Sequence, residues 1–322
     1  MNTTRRRGLQ ALAALPLLSL TGMARAQTPS KQLRLVVPLT PGTTPDTVAR
    51  AIGPHLQRKL DAVVVVDNRV GASGMIGMDY VARAEDDSTL MITPSTTLTL
   101  PMFYKNVNFD VIKSFAPVTM TVSTSFVLVV SSSVPARTLP EFIAWNKSNP
   151  GAFYASPGSG THHHLCMELF KQATGVEITH VPYKGSAQAI SDVVAGQVPT
   201  MFMPVQVAAP LAKDGRIRIL GGSLRMRHPA YPDIPTLQEL GVKDFEVDPW
   251  YAVWGPAKLS ADATNRYREA IVAALSEADV RAAFDKQGLI VKTSTPAELL
   301  QIAQREYAQW DRVIKAANIR PE

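Results

Sequence analysis

The chain has 322 residues, of which 46% are hydrophobic and 19% charged, and its formal net charge is +6. This length can bury one large core or two cores of ordinary size. The single cysteine, Cys166, excludes an intramolecular disulfide and a zinc site built from cysteines. No block of five or six like charges occurs, so the sequence lacks the basic tail typical of nucleic-acid binding.

The first 26 residues have the pattern of an export signal. Arginines at positions 5–7 precede an apolar stretch at residues 9–20, and Ala24 and Ala26 supply small residues before a cleavage site. The stretch is shorter than the roughly 20 residues that span a bilayer, and the export route, Sec or Tat, stays open. Cleavage would leave 296 residues with 29 basic and 27 acidic side chains, a net charge of +2. The sequence therefore predicts a mature protein outside the cytoplasm.

Short apolar runs and helical patterns alternate along the rest of the chain. Strands are predicted at residues 33–37, 62–66, 89–92, 126–130, 178–181 and 217–221. Helices are predicted at residues 46–60, 75–84, 139–147, 187–195, 261–289 and 296–317. The alternation is typical of an α/β fold with largely parallel sheets, and the β-branched run at 62–66 indicates a strand covered on both faces. Trp250 and Trp254 fall on one face of an extended segment, and with Tyr251 they are interpreted as core; lining a cleft for an aromatic ligand is the alternative.

Two stretches interrupt the alternation and indicate crossings between domains. Residues 115–130 run extended without a clear helix, and residues 225–235 are rich in proline and arginine. A chain that crosses twice forms one discontinuous and one continuous domain. The predicted domains are residues 27–125 together with 227–322, and residues 126–226. The cleft between them would be a natural ligand site.

Four loops after predicted strands combine hydroxyl side chains and, in three of them, glycine, ahead of a helix. They are Thr40-Pro41-Gly42-Thr43-Thr44-Pro45-Asp46, Thr93-Pro94-Ser95-Thr96-Thr97, Ser156-Pro157-Gly158-Ser159-Gly160-Thr161, and Tyr183-Lys184-Gly185-Ser186. Free amides and the positive end of a helix dipole suit an anion, although the same residues are also ordinary helix caps. Four such loops in one chain favour a carboxylate site.

Other chemistry has less support in the sequence. His162, His163 and His164 are consecutive, so on a helix their side chains point about 100° apart and cannot share one metal ion. One of them is expected to face the cleft. No Gly-x-Ser-x-Gly elbow or phosphate loop occurs. Asp46 is interpreted as a cap that fixes the first loop, with a general base as the alternative; Lys184 is either an anion partner or a solvated loop lysine.

A series of motifs in chain order carries a family resemblance. They are Arg34-Leu35-Val36-Val37-Pro38, Asp67-Asn68-Arg69, Gly71-Ala72-Ser73-Gly74, Phe115-Ala116-Pro117-Val118, Tyr154-Ala155-Ser156-Pro157-Gly158-Ser159-Gly160-Thr161, His180-Val181-Pro182-Tyr183-Lys184-Gly185-Ser186, and Trp250-Tyr251 with Gly255-Pro256-Ala257. The series resembles the Bug-type solute-binding proteins, the periplasmic receptors of tripartite tricarboxylate transporters. The resemblance covers essentially all of the chain after the signal.

The resemblance implies a two-domain, Venus-flytrap-like α/β fold of the type II periplasmic-binding-protein kind, without catalytic activity, cofactor or metal. It implies a small carboxylate ligand and membrane permease subunits as partners, with no nucleic acid, and a monomer is expected. Carried over by position, the ligand-binding residues are Thr43, Thr44, Asp46, Ser95, Thr96, Ser159, Gly160, Thr161, His164, Lys184, Gly185, Pro204 and Val205.

Two departures from the family pattern lie at the expected cleft. Thr43 and Thr44 stand where a second glycine commonly follows Pro-Gly, and Met203-Pro204 stands where the sixth strand often ends in Asp-Asn. Together they make the cleft less acidic and add hydroxyls, so we expect a mono- or dicarboxylate, aliphatic or aromatic, without a free amine. The alternatives are an exported hydrolase using Ser159 or Ser186 and a ligand sensor for a signalling kinase. A transcription regulator's effector half is disfavoured by the export signal.

Overall fold

The computed structural model describes residues 31–183, 185–317 and 319. The predicted export signal lies outside the described residues, and so does Lys184. In the described part of the chain, no helix combines the length and the apolar character needed to cross a bilayer.

The first sheet has six strands in the order β11-β4-β10-β3-β1-β2. The strands are β1 (Gln32–Val37), β2 (Val63–Asn68), β3 (Thr89–Pro94), β4 (Phe115–Ser123), β10 (Trp250–Pro256) and β11 (Ile290–Val291). Strand β1 pairs in parallel with β2 and β3. Strand β10 is antiparallel to β3 and β4, and β11 is antiparallel to β4.

The second sheet has five strands in the order β7-β6-β8-β5-β9. The strands are β5 (Phe126–Ser131), β6 (Phe153–Ser156), β7 (Thr179–Pro182), β8 (Thr200–Pro204) and β9 (Ile217–Gly222). Strand β6 is parallel to β7 and β8, whereas β5 is antiparallel to β8 and β9.

Ten α-helices connect these strands in the described residues. They are α1 (Thr44–Leu60), α2 (Met75–Ala82), α3 (Leu100–Phe103), α4 (Leu139–Ser148), α5 (His162–Thr174), α6 (Ser186–Val194), α7 (Val205–Lys213), α8 (Ala261–Ser276), α9 (Ala278–Asp285) and α10 (Pro296–Ala316). Short 3-10 turns at Ala72–Gly74 and Ser95–Thr99 precede α2 and α3. The order of helices and strands is therefore that of an α/β fold, as predicted.

Two expectations about the sheets were wrong. The sheets are mixed and not largely parallel, because β5 and β10 enter their sheets from the other sheet without the crossover helix that makes neighbours parallel. Strand β2 is not covered on both faces. It lies at a sheet edge, its residues are only partly buried, and Val63 is 42% exposed.

The chain passes between the two sheets twice, and the first passage lies in the first stretch identified in the sequence. Strands β4 and β5 belong to different sheets, yet only Thr124 and Ser125 separate them. The return lies after the second stretch and not within it, because Leu237, Phe245 and Val247 still pack in the core of the second sheet, and the next strand, β10, lies in the first sheet. Trp250 and Trp254 are both 3% exposed in the core of the first sheet, as predicted. The domain limits at 125/126 and 226/227 stay predictions.

Helix α10 contributes to the cores of both sheets. It begins with a capping box in which Thr295 and Glu298 bond each other's backbone N–H groups. Its first half places Leu299 and Ala303 in the core beside the first sheet. Its last turns place Trp310 among the buried aromatic residues of the second sheet. This helix therefore links the two halves of the molecule behind the region where their loops meet.

Candidate functional site

Loops from both sheets enclose a cleft of about 720 Å³. Eight of the residues predicted to bind ligand line it, three from the first sheet and five from the second: Thr43, Thr44, Thr96, Ser159, Gly160, Thr161, Gly185 and Pro204. The loops meet there because each follows the carboxyl end of a strand, where the helices of an α/β sheet begin.

Four helices begin at the cleft, one from the first sheet and three from the second. The residues ahead of them are Thr43 (α1), Thr161 (α5), Gly185 (α6) and Pro204 (α7). Thr161 caps α5 with its hydroxyl, but Thr43, Gly185 and Pro204 make no side-chain cap. The Thr43 hydroxyl donates instead to the Thr40 carbonyl at 2.7 Å. Amide donors at the start of α6 and at Thr44 of α1 are therefore placed to bind an anion, whereas the first amide of α7, that of Val205, donates to the Ser125 carbonyl at 2.9 Å and leaves only the next amides of α7 available.

Asp46 lies behind the first loop and does not line the cleft. Its carboxylate accepts the Gly42 N–H at 2.9 Å, the Asn68 amide at 3.0 Å and the Arg50 guanidinium. Burial raises the pKa of Asp46, but the bonds from Arg50, Gly42 and Asn68 outweigh it and lower that pKa. The structure places Asp46 inside α1, whose N-cap is Thr43, so Asp46 fixes the first loop as predicted but is not the helix cap.

The three consecutive histidines point to different surroundings. His162 and His163 line the cleft, and the His162 Nε2 lies 2.9 Å from the hydroxyl of fully buried Ser95. His164 accepts the Gly160 N–H through Nδ1 at 3.1 Å and stacks on His180, with ring centroids 4.1 Å apart. Burial lowers the pKa of His162 and His163 to about 3 and that of His164 to about 4, so all three are neutral near pH 7.

The remaining predicted residues take other positions. Val205 is 1% exposed in the core of the second sheet, while its neighbours Pro204 and Gln206 line the cleft. Ser95 lies behind the cleft wall, and His164 supports the loop at Gly160 from beneath. Lys184 lies outside the described residues.

An aromatic wall of the cleft was missed by the sequence reasoning. Phe103 and Tyr104 from the end of α3, Phe126 from β5 and Tyr251 from β10 all line the cavity. Buried aromatic side chains in a sequence are usually core, so no local signal singled these out. Tyr251 carried a weak signal, because alternation places it on the face of β10 opposite Trp250.

Charge is absent from the described part of the cleft lining. No Asp, Glu, Arg or Lys is among the described residues that line it. The described residues contain one group suited to hold a metal ion, His55 with Glu277 and Asp279, and none of these lines the cleft. Among the described residues, the groups that the cleft offers for recognition are amides, hydroxyls, neutral imidazoles and aromatic rings.

Comparisons with known proteins agree with this architecture. The family model TctC, "Tripartite tricarboxylate transporter family receptor", matches residues 48–319. The chain is 30% identical over 291 residues to BugT of Bordetella pertussis, covering 89% of each protein. The structure of R. palustris Rpa4515 with adipate is 31% identical with a TM-score of 0.80, covering 92% of this chain and 100% of that one.

A second solved structure with a named ligand has the same fold. MatC from Rhodopseudomonas palustris with bound malate is 27% identical with a TM-score of 0.76, covering 89% of this chain and 99% of that one. These matches confirm the two-domain flytrap fold and the resemblance found in the sequence. The chain belongs to the receptor family of the tripartite tricarboxylate transporters, and within it to the Bug-type solute-binding proteins.

Proposed function

We propose that this protein is a periplasmic receptor that captures a small carboxylate and delivers it to the permease subunits of a tripartite tricarboxylate transporter. The observation that carries the proposal is the cleft where α1, α5, α6 and α7 begin, at which three of the four helices have amides that no cap side chain engages. Hydroxyls of Thr44, Thr96 and Ser159 supply further donors. The volume of the cleft lies in the usual range for small-molecule sites.

The ligand is a mono- or dicarboxylate without a free amine. Relatives with adipate and malate support a carboxylate. An ammonium group needs an acidic partner when it leaves water, and the described lining residues include no Asp or Glu. Helix N-termini and hydroxyls, by contrast, stabilise a carboxylate without any cationic side chain.

The serine–histidine pairs of this structure do not favour a hydrolase. Ser95 with His162 and Ser156 with His180 are within hydrogen-bond distance, but both serines are fully buried. Burial lowers the pKa of His180 to about 3, as it does for His162. A base with so low a pKa is poorly matched to proton abstraction near neutral pH. Ser159 and Ser186, the serines of the predicted hydrolase, make no hydrogen bond to a histidine among the described residues, so we assign binding, and not catalysis, to this cleft.

Thermal unfolding of the purified protein with a panel of carboxylates tests the proposal. A ligand at 100 times its Kd adds about 2.7 kcal/mol of stability, and each kcal/mol raises the Tm of a protein of this size by roughly 2–4 °C. We expect a shift of several degrees with a carboxylate that is recovered chemically intact. A larger shift with an amino acid than with its deaminated analogue would contradict the absence of an amine. No shift with any carboxylate would contradict the receptor assignment.

The transporter partnership requires a separate test in cells. Deleting the receptor should abolish uptake of the carboxylate identified by thermal unfolding, and supplying it again should restore uptake. Unchanged uptake in the deletion strain would remove the transport role while leaving the binding activity in place. Size-exclusion chromatography with light scattering tests the expected monomer.

A further inference from the structure

Two aliphatic side chains line the cleft close to the starts of α6 and α7. Ile190 lies four residues after Ser186, the first residue of α6, so the two share a face of that helix, and both line the cavity. Val207 is the third residue of α7 and lines the cavity with Pro204. Ile190 and Val207 are half-buried at the outside of the core of the second sheet. We call these two side chains the aliphatic wall. A carboxylate bound by the amides of α6 would have the rest of its molecule beside this wall.

Two tyrosines line the same cavity from the part of the chain that forms the first sheet. Tyr104 follows α3, which comes after β3, and Tyr251 lies in β10, the neighbour of β3 in that sheet. Both are half-buried, whereas the adjacent rings of Phe103 and Phe126 are almost fully buried. Of the phenylalanine and tyrosine rings that line the cleft, Tyr104 and Tyr251 therefore keep the most surface for a ligand. We call these two rings the tyrosine wall.

The ring of Tyr104 is held in place at its polar end. Its phenol oxygen lies 2.6 Å from the hydroxyl of Ser73, which also lines the cavity. Because this contact engages the hydroxyl, we expect a ligand to meet the aromatic ring of Tyr104 more than its oxygen. The tyrosine wall thus offers a fixed aromatic surface.

A flat aromatic ring suits a cleft that has these two walls. When the two halves of the molecule close on a ligand, a planar ring can bury one face against the aliphatic wall and the other against the tyrosine wall. Contacts between aromatic rings also favour their partners beyond the area that they bury, which an aliphatic ligand does not gain. A second carboxylate would instead lie against apolar side chains and lose its hydration there.

We propose that the ligand is an aromatic carboxylate of the benzoate class, with its carboxylate at the helix starts and its ring between the aliphatic wall and the tyrosine wall. This inference rests on the proposed function and narrows its ligand class. Tyr104 determines specificity in this arrangement, because its ring contacts the ring of the ligand.

Isothermal titration calorimetry with benzoate, cyclohexanecarboxylate and adipate tests the ligand class. Cyclohexanecarboxylate has a ring of six carbons without π electrons, and adipate has a second carboxylate in place of a ring. We expect benzoate to bind about two- to tenfold more tightly than cyclohexanecarboxylate, and adipate to bind most weakly. If either competitor binds as tightly as benzoate, or if only other carboxylates bind, the inference fails and the receptor assignment stands. If no carboxylate binds, both fail.

Substitutions at Tyr104 test the tyrosine wall. Tyr104→Leu removes the ring and keeps an apolar side chain, so the preference for benzoate over cyclohexanecarboxylate should disappear. Tyr104→Phe restores the ring and should restore the preference. Tyr307→Leu is the matched control, because Tyr307 is a half-buried tyrosine of α10 that does not line the cleft. A Tyr104→Leu protein that keeps the wild-type preference would overturn the role of Tyr104.

Ile190→Thr tests the aliphatic wall independently of the tyrosines. It replaces apolar surface by a hydroxyl, so benzoate should bind about three- to tenfold more weakly. Ile143→Thr makes the same change at a half-buried isoleucine of α4 outside the cleft and should leave the affinity unchanged. Thermal unfolding without ligand shows that each variant is folded. Unchanged benzoate affinity in folded Ile190→Thr would overturn the placement of the ring between the two walls.

Discussion

At the scale of single residues, the contact between Gly160 and Phe103 brings together a loop of the second sheet and the end of α3. Gly160 has a φ of 79°, and a Cβ there would lie 3.0 Å from the Phe103 ring. Gly160→Ala should combine the strain of a left-handed backbone with this clash and lower the free energy of unfolding by about 2–4 kcal/mol, measured in urea.

Gly151 supplies the matched control for that substitution. Its φ is 88°, but no heavy atom lies within 4 Å of a Cβ built there. Gly151→Ala should therefore show only the backbone strain, about 1–2 kcal/mol. If Gly160→Ala and Gly151→Ala lower the free energy of unfolding equally, the contact with Phe103 contributes nothing to the cost.

Asp46 supports the first cleft loop, and comparison of its ion pair with that of Asp79 tests how strongly burial affects stability. Asp46 and Asp79 each bond an arginine four residues later, but their side chains are 4% and 32% exposed. Asp46→Ala should lower the free energy of unfolding by about 2–4 kcal/mol, because it removes bonds to Gly42 and Asn68 as well as to Arg50. Asp79→Ala should cost about 0.5 kcal/mol or less. Similar losses in denaturant melts would contradict the supporting role of Asp46.

Whether the role of a residue could be predicted depended on how far along the chain its partners lie. The sequence correctly indicated that Asp46 fixes its loop, because the Gly42 and Arg50 partners are near neighbours in the chain. It could not indicate that Ser95 meets His162, since no local pattern brings residues so distant in the chain together. His164 was predicted to face the ligand, but His162 and His163 line the cleft instead. The rotation of about 100° per residue shows that the three side chains diverge, but it does not specify which face of the helix packs inward.

At the scale of elements, α10 begins with a capping box and then spans both cores. Thr295→Ala removes the hydroxyl that accepts the Glu298 N–H at 3.2 Å. We expect the free energy of unfolding to fall by about 1 kcal/mol, whereas Thr295→Ser should stay close to wild type because serine caps equally well. Chemical denaturation followed by circular dichroism measures both. A serine variant as unstable as the alanine variant would mean that packing of the Thr295 methyl group matters more than the cap.

The bounds of helices and strands with a clear hydrophobic periodicity were predicted to within about two residues, since periodicity and capping residues are local properties of the sequence. The predicted helix at 261–289 is interrupted at Glu277, where the backbone becomes extended between α8 and α9, and the sequence has no proline or glycine there to indicate it. Strand β11 has two residues and is defined by its pairing with β4, so its own sequence carries no strand pattern. The position of β2 at the edge of the sheet also could not be predicted, because the sequence of one strand does not specify which strands pair with it.

At the scale of the whole molecule, two buried histidines, His162 and His164, and two partly buried ones, His163 and His180, predict a loss of stability in acid. The pKa values of His162, His163 and His180 are lowered to about 3 and that of His164 to about 4 by burial. Unfolded histidine takes up its proton near pH 6.5, so the unfolded state is favoured as the pH falls below that value. Each histidine can contribute a slope of about 1.4 kcal/mol per pH unit between its two pKa values.

Urea melts at pH 7.5, 6 and 5 measure this dependence. The free energy of unfolding should be nearly constant above pH 7 and fall steeply between pH 6.5 and 4. The raised pKa of Glu306 acts in the opposite direction, but as one group against four. His163→Phe should reduce the slope of the free energy of unfolding against pH by the contribution of about one proton. A free energy that stays constant down to pH 5 would show that these histidines are accessible to protons in the folded state.

The alternation of strands and helices, the loops that begin four helices, and the membership of the Bug-type receptor family were all determined by the sequence itself. These features depend on local periodicity, capping residues and motifs read within a few positions. The tertiary structure alone decided the mixed sheets, the aromatic wall of the cleft and the face of the histidine run that lines it. Those features depend on contacts between residues far apart in the chain, which only the packing of the two sheets and α10 brings together.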